Sequence, residues 1–204
     1  MELVGERWAM LVVRDLMLGP KRFTELRQGL PRIPSNILAA RLKELEEAGI
    51  VRRRVLPRPS TGVVYELTPY GGELEDVLLG FGRWGAKSLG DPRPDDTLTE
   101  ESLTLALRAT FDPETARALS ASYELRVGPL TLHARIADGH LVAAPGPLPD
   151  ADLVIHAGPV FKHLLSGELS PAEALRSGSV QIVGDPSLFD RFVQLFRIAP
   201  IPVG

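Results

Sequence analysis

The sequence contains no cysteine, and this absence excludes several kinds of chemistry. Without a thiol there is no disulfide, no thiolate nucleophile, no zinc–thiolate site and no thiol-based redox switch. Long apolar runs are also missing, because no segment approaches the roughly 20 uninterrupted apolar residues that cross a bilayer. The first residues, "MELVGERW", lack the basic-then-apolar pattern of a signal peptide. We therefore expect a cytoplasmic protein with no membrane partner.

Sequence signatures of catalysis and of metal binding are absent as well. The four histidines, His133, His140, His156 and His163, have neither the helical spacing nor the acidic neighbours of a metal site. The Gly-x-Gly-x-x-Gly pattern at 80–85 lies in a helical pattern, whereas a dinucleotide fingerprint needs a preceding strand. We therefore expect no catalytic residues, no metal and no cofactor, and we do not expect an enzyme.

Charge is unevenly distributed along the 204 residues, a length that suits two small domains. Residues 1–94 hold 15 Lys and Arg against 12 Asp and Glu, whereas residues 95–204 hold 8 against 14. Between Lys21 and Arg58 the bias is stronger, with ten basic residues against four acidic ones. Such clustering is typical of a surface that contacts nucleic acid.

Apolar spacing predicts three helices and a hairpin in the basic half. Trp8 to Leu16 and Phe23 to Leu30 have helical periodicity, and a third helix is expected from an N-cap at Ser35 to a stop at Gly49. The alternating runs "IVRRRVL" and "VVYELT" flank the turn "PRPSTG" and predict a hairpin. Helical spacing returns from about Tyr70 to Leu89. This order of elements is that of a winged helix-turn-helix.

The third helix is the expected DNA-reading element. Leu38, Leu42 and Leu45 define its buried side, which leaves the opposite side for contacts with bases. The residues on that side are Asn36, Ala40 and Lys43, with Ala39 alongside. Asn pairs with adenine, an alanine methyl suits the thymine methyl, and Lys reaches guanine or a phosphate. The alternative is the polar face of an ordinary surface helix.

The hairpin carries three consecutive arginines and a fourth at its tip. Alternation places Arg52 and Arg54 on one strand face and Arg53 on the other. Arg58 lies between two prolines in the bend, where it is best placed to enter a minor groove or hold a phosphate. A hydrated charge run is the alternative interpretation.

An apolar stripe follows the hairpin and is the expected dimer interface. Its members, with Trp8 of the first helix, are Leu74, Val77, Leu78, Phe81 and Trp84. A two-fold dimer would present two reading helices about 34 Å apart, one helical turn of DNA. The alternative for the stripe is intramolecular core.

The second half predicts an α+β domain. The Pro/Asp-rich segment 90–98 is expected to be a linker. After a helix near 99–110 come three strand-like runs, "SYELRVG", "LTLHARIA" and "HLVAA", then "ADLVIHA", a helix, "SVQIVGD" and a final helix. Five strands and their helices form such a domain.

The first half resembles the HxlR family of winged-helix transcriptional regulators. The resemblance rests on "G-x-x-W", "RF-x-EL" and "RL-x-ELE-x-x-GIV-x-R", and it covers nearly all of residues 5–89. It implies a homodimeric regulator that binds double-stranded DNA, with repression the favoured direction. The implied contacts are Ser35, Asn36, Ala39, Lys43, Arg53 and Arg58. Many family members sense oxidants through a cysteine, which this chain lacks.

The second half resembles the sterol-carrier-protein type of lipid-binding fold. The matching pieces are "L-x-G-x-(L/S)-x-P-x-x-A" and "G-x-x-x-(I/V)-x-GD", carried by residues 165–174 and 178–185. The resemblance implies a cavity for a small apolar ligand. Its expected lining residues are Phe161, Leu165, Phe189, Phe192 and Phe196; a plain aromatic core is the alternative.

These observations predict an α+β chain with an N-terminal winged helix-turn-helix domain and a C-terminal sterol-carrier-like domain with a five-stranded sheet. The expected boundaries are 1–89 for DNA binding and dimerisation, 90–98 for the linker and 99–204 for ligand binding. The predicted function is a sequence-specific DNA-binding regulator whose operator affinity responds to a small apolar ligand. The alternative is a lipid or small-molecule carrier whose winged helix serves dimerisation or protein contact.

Overall fold

The computed structural model describes residues 6–88, 98–158 and 160–199. The chain divides into two compact units, Met1–Leu78 and Leu79–Gly204. Residues 90–97 of the predicted linker lie outside the described residues. Over the described ranges, every helix is too short or too polar to cross a membrane.

A winged helix-turn-helix forms the first unit, as the sequence predicts. Its elements are α1 (Arg7–Leu16), α2 (Phe23–Gly29), α3 (Ser35–Glu47), β1 (Val51–Val55) and β2 (Val63–Leu67). The two strands pair antiparallel, with Val51 opposite Leu67 and Val55 opposite Val63. The apolar side of each helix enters one shared core, whose members include Val12, Leu16, Leu26, Leu38, Leu42 and Leu45.

The stretch predicted as one helix from Tyr70 to Leu89 is divided in the structure. It contains α4 (Pro69–Gly72) and α5 (Leu74–Ala86), and Leu89 lies outside the described residues. The Thr68 hydroxyl accepts a hydrogen bond from the Gly71 amide at 3.0 Å. Gly71 packs so closely on the Ile50 carbonyl that a Cβ would not fit. This close approach creates a separate short turn, which apolar periodicity does not reveal.

The second unit is an α+β fold with a five-stranded sheet, as predicted. Its elements are α6 (Glu100–Thr110), β3 (Ala121–Val127), β4 (Leu130–Ala137), β5 (His140–Pro145), β6 (Leu153–Ala157), α7 (Phe161–Ser166), α8 (Pro171–Arg176), β7 (Val180–Gly184) and α9 (Ser187–Leu195). The strand order is β5-β4-β3-β6-β7. Neighbouring strands are antiparallel except β3 and β6, which are parallel.

The core of the second unit lies on one face of this sheet. Tyr123 and Leu125 of β3 alternate with polar residues and are fully buried. Phe189 and Phe192 of α9 belong to the same apolar cluster. The alternation of strand residues and the apolar side of the last helix therefore meet in one core.

Candidate nucleic-acid interface and apolar cluster

Three buried leucines fix the rotation of α3 about its axis. Leu38, Leu42 and Leu45 are each at most 2% exposed and lie on one side of the helix, because their spacing follows its turns. Burying one such side chain contributes about 1.5–3 kcal/mol. The opposite side of α3 is therefore held towards solvent.

The α3 residues predicted to contact DNA lie on that outward side. Ser35, Asn36, Ala39 and Lys43 are exposed, and Ala40 is half-buried. The Lys43 Nζ atom is 3.6 Å from Glu47 Oε1 in an exposed pair, a kind of contact that contributes only about 0.3–0.5 kcal/mol. Lys43 is thus able to exchange this partner for a base or a phosphate. Contact of these residues with DNA stays a prediction.

The predicted start of α3 is wrong by one residue. Pro34, with φ −63° and ψ 141°, is the N-cap, and Ser35 is the first helical residue. A proline side chain has no hydrogen-bonding atom, so it caps none of the first backbone amides. The first turn of α3 also contains no acidic residue. The positive end of the helix dipole therefore favours an anion here.

The β1–β2 hairpin, residues 51–67, is called the wing below. Two of its four arginines share one carboxylate. Arg52 Nε donates to Glu66 Oε1 and Arg54 Nε donates to Glu66 Oε2, both at 2.8 Å. The strand register explains this pairing, because Arg52 lies directly opposite Glu66 and Arg54 lies diagonally on the same face. Sequence alternation placed both arginines on one face but did not identify their common partner. Glu66 neutralises part of the positive charge that the triple arginine displays.

The Glu66 carboxylate remains ionised at neutral pH. Its pKa lies below the ordinary value of 4.5, chiefly because Arg54 donates a hydrogen bond to it. A lowered pKa in the folded state means that these pairs stabilise the fold above the unfolded pKa. That contribution is lost as the pH falls through the lowered value. Arg52 and Arg54 therefore stay paired with the Glu66 carboxylate throughout the neutral pH range.

Arg53 and Arg58 are differently placed. Arg53 lies on the other strand face, with its guanidinium carbon 6.0 Å from the centre of the Tyr65 ring. Arg58 is exposed at the tip of the hairpin, and its peptide bond to Pro59 is cis. Within the described residues, no acidic side chain lies at salt-bridge distance from either arginine. These are the wing cations that the structure leaves for an external anion.

A residue that the sequence analysis missed holds the wing in place. Arg22, the N-cap of α2, donates from Nη2 to the Thr61 carbonyl at 2.8 Å. Gly62 has φ +126°, and a Cβ there would lie 2.5 Å from Arg22 Nη1. Next to it, Lys21 and Tyr65 exchange two backbone hydrogen bonds of 2.9 and 2.8 Å. The hairpin is thereby attached to the start of α2.

The sequence contained little signal for this contact. Arg22 and Thr61 are 39 positions apart, and Arg22 was counted only among the basic residues. The basic cluster therefore contains at least one arginine whose described contact is with the wing itself.

The predicted dimer stripe divides into two parts. Trp8, Leu74 and Leu78 are half-buried and pack on the core of the first unit. Val77, Phe81 and Trp84 of α5 are 50%, 60% and 73% exposed. The first part behaves as intramolecular core, and the second part, called the α5 stripe below, presents its apolar side chains to solvent.

The five predicted ligand-lining residues form one packed cluster. Phe161, Leu165, Phe189, Phe192 and Phe196 are all buried. The Phe192 ring centre is 4.7 Å from that of Phe196 and 6.2 Å from that of Phe161. Two further rings join them and were not predicted: Tyr123 is 5.2 Å from Phe192, and Phe111 is 5.7 Å from Phe196. Ligand contact by this cluster stays a prediction.

A separate pocket of about 410 Å³ opens in the second unit. Its lining residues are Gly80, Arg83, Trp84, Ala86, Lys87, Thr110, Arg197, Ile198 and Ala199. None of the five predicted ligand residues borders it.

Comparisons with known proteins find a family model that matches each half of the chain. Residues 3–92 match the HxlR-like helix-turn-helix family, and residues 104–197 match the SCP-2 sterol transfer family. The HTH-type transcriptional regulator YodB of Bacillus subtilis is 42% identical over 99 residues, which are 48% of this chain and 86% of that protein.

Two of the solved structures that match each cover a little under half of this chain. The reduced form of YodB from B. subtilis is 40% identical with a TM-score of 0.40, covering 45% of this chain and 90% of that chain. The sec-alkylsulfatase Pisa1 from Pseudomonas is 19% identical with a TM-score of 0.45. That match covers 49% of this chain but only 16% of the alkylsulfatase.

Replacing Glu66 with Gln should strengthen binding to duplex DNA of any sequence. Without the carboxylate, Arg52 and Arg54 become available to phosphates, and each new contact steepens the slope of log K against log salt by about 0.9. Fluorescence anisotropy of a labelled duplex across a salt series measures both effects. Glu114→Gln is the matched control, because it removes the same charge beside Arg117 in the second unit. Equal or weaker DNA binding by Glu66→Gln would contradict this account of the wing.

Replacing Arg22 with Met should loosen the hairpin tip. The lost hydrogen bond contributes about 1 kcal/mol, which corresponds to roughly fivefold faster exchange of the amides it protects. Hydrogen exchange of residues 56–62 measures this, particularly at the Leu56 amide, which donates to the Gly62 carbonyl at 2.9 Å. Arg27→Met removes the same charge from the exposed side of α2 and should leave that exchange unchanged. If Arg22→Met also leaves it unchanged, Arg22 does not hold the wing.

Proposed function

Since the chain belongs to the HxlR-like helix-turn-helix family through residues 3–92, we propose that it is a sequence-specific DNA-binding transcriptional repressor that acts as a homodimer. The observation that carries this proposal is the outward side of α3, where Asn36, Ala39 and Lys43 lie exposed opposite three buried leucines. Helices of this kind read base edges in the major groove.

The wing supplies the second part of the proposed interface. With α3 in the major groove, a hairpin that follows it in the chain reaches the flanking backbone or minor groove. Arg53 and Arg58 are its exposed cations without an acidic partner among the described residues. Arg52 and Arg54 are held by Glu66 and contribute mainly a diffuse positive field. The specific wing contacts in this proposal are therefore Arg53 and, above all, Arg58.

The α5 stripe is the proposed dimer contact. Three large apolar side chains at helical spacing, Val77, Phe81 and Trp84, are at least half exposed, and such patches favour burial against another surface. A second copy provides an identical stripe related by two-fold symmetry. The start of α5 is held to the core of the first unit by Leu74 and Leu78, which pack there together with Trp8.

The second unit is the proposed site of regulation. We propose that a small apolar molecule enters the aromatic cluster around Phe192 and is bound there without being transformed. Since the rings are packed together, a ligand binds only a conformation in which α9 and the sheet are separated. A ligand that favours one of two conformations shifts DNA affinity by its differential binding energy, typically about 1–3 kcal/mol.

A carrier protein is the second candidate function. It is favoured by the match of residues 104–197 to a sterol transfer family. In that case ligand exchange with other carriers would be the activity, and the winged helix would serve dimerisation or protein contact.

The double substitution Lys43→Glu with Arg58→Glu distinguishes the two functions. It should lower operator affinity by at least tenfold, because it reverses one charge on α3 and one on the wing, and it should leave ligand uptake intact. Operator fragments selected from random DNA supply the probe for the titration. Arg135→Glu with Arg176→Glu, at exposed sites in the second unit, is the matched charge reversal. An unchanged gel shift would favour the carrier, and so would DNA binding that ignores salt and sequence.

The double substitution Phe81→Glu with Trp84→Glu tests the dimer. Two carboxylates on the α5 stripe should prevent its burial, so light scattering should give the mass of one chain instead of two. Operator affinity should fall at least tenfold, because a monomer reads only one half-site. Val142→Glu changes a residue that is 64% exposed on β5 and should keep the dimer. A double variant that remains dimeric would place the interface elsewhere.

A further inference from the structure

The Tyr123 side chain combines complete burial with an unused hydroxyl. Tyr123 is 0% exposed on the inner face of the sheet, and its ring lies 5.2 Å from that of Phe192. Among the described residues, no group forms a hydrogen bond with its Oη atom. A buried hydroxyl without a partner costs about 1–3 kcal/mol, so this position favours a molecule that supplies an acceptor.

The polar groups around Tyr123 are held by other donors. Asp152 Oδ2 accepts from the Ser122 amide at 2.7 Å and from the Ser122 hydroxyl at 2.6 Å. Asp185 Oδ1 accepts from the Ser187 amide at 2.9 Å. The strand residues directly beside Tyr123 are Ala134 and Leu153, which offer no polar side-chain atom.

The hydroxyl is a hydrogen-bond donor throughout the physiological pH range. Burial, together with the negative charges of Asp152 and Asp185, raises the pKa of Tyr123 to about 12, and Arg191 opposes this shift. The same burial and the same two carboxylates disfavour an anion beside the hydroxyl. A neutral acceptor is therefore the partner that this position suits.

We propose that Tyr123 is the polar contact of the ligand site in the second unit, and that the ligand is an apolar molecule with one neutral hydrogen-bond acceptor, such as a ketone or ester carbonyl. The acceptor takes the hydrogen bond of Tyr123 Oη, while the apolar body lies among Phe161, Phe192 and Phe196. This inference rests on the proposed binding of a ligand in the second unit. It adds a chemical class, since a pure hydrocarbon leaves the hydroxyl without a partner.

A matched pair of fluorescent probes tests the proposal on the full chain. The probes are 2-acetylnaphthalene, which carries a carbonyl acceptor, and 2-ethylnaphthalene, which has nearly the same shape without it. The wild-type protein should bind the ketone about twofold to tenfold more tightly, the range of one neutral hydrogen bond. Tyr123→Phe should remove this preference by weakening ketone binding alone. Tyr70→Phe makes the same change at an exposed tyrosine and should keep the preference.

Two further measurements test where the probes bind and whether the Tyr123 hydroxyl already has a partner. Phe192→Leu shrinks the cluster beside Tyr123 and should weaken both probes by a similar factor. In the absence of probe, Tyr123→Phe should unfold at the same or a higher denaturant concentration, because it removes a hydroxyl without a partner. A lower midpoint would mean that the hydroxyl is already satisfied in the free protein and would overturn the proposal.

The remaining outcomes separate this inference from the proposed function. Equal binding of both probes by the wild-type protein, or a preference that survives in Tyr123→Phe, overturns the role of Tyr123 and leaves ligand binding standing. Affinities that Phe192→Leu does not change place the probes elsewhere and overturn the inference. If neither probe binds at its solubility limit, this ligand class and the Tyr123 contact both fail. The DNA titration of the same preparation still tests the regulator.

Discussion

The burial of Leu38, Leu42 and Leu45 is the constraint on which the proposed DNA-reading surface depends. These side chains fix the rotation of α3, and that rotation alone decides that Asn36 and Lys43 point outward. The wing follows α3 directly in the chain, so its position relative to the reading helix depends on the same core. A loss of several kcal/mol from this core would therefore disorganise the interface before any contact residue was changed.

The arginines of the wing and its neighbourhood have different partners, although they form one cluster of positive charge. Glu66 engages two arginines on one strand face, Arg22 is used to hold the hairpin tip, and Arg53 and Arg58 remain available. The number of basic residues thus overstates the number that can each meet a phosphate. A charge run describes the electrostatic field, whereas the ion pairs within the fold decide which cations make specific contacts.

The second unit presents the opposite situation, an apolar core in which the Tyr123 hydroxyl has no hydrogen-bond partner among the described residues. Phe192 lies against three other rings, and one of them carries the Tyr123 hydroxyl. A ligand that separates the rings and satisfies that hydroxyl would stabilise a conformation that the free protein disfavours. Regulation of DNA binding requires such a difference between two states, because a ligand shifts an equilibrium only by its differential affinity.

Periodicity along the chain was enough to predict the winged helix-turn-helix, the five strands and the outward side of α3. It also predicted that Arg52 and Arg54 lie on one strand face and Arg53 on the other. Side chains within one helix or strand face directions set by its repeat, so a single sequence contains that information. Only the tertiary structure decided four other features: the short α4 turn, the shared carboxylate of Glu66, the Arg22 contact with Thr61 and the buried hydroxyl of Tyr123. The first three join atoms that are distant in the sequence, up to 39 positions apart for Arg22 and Thr61, and the fourth depends on which side chains pack around Tyr123. Where such elements meet depends on the packing of the whole unit and not on the repeat of any one of them.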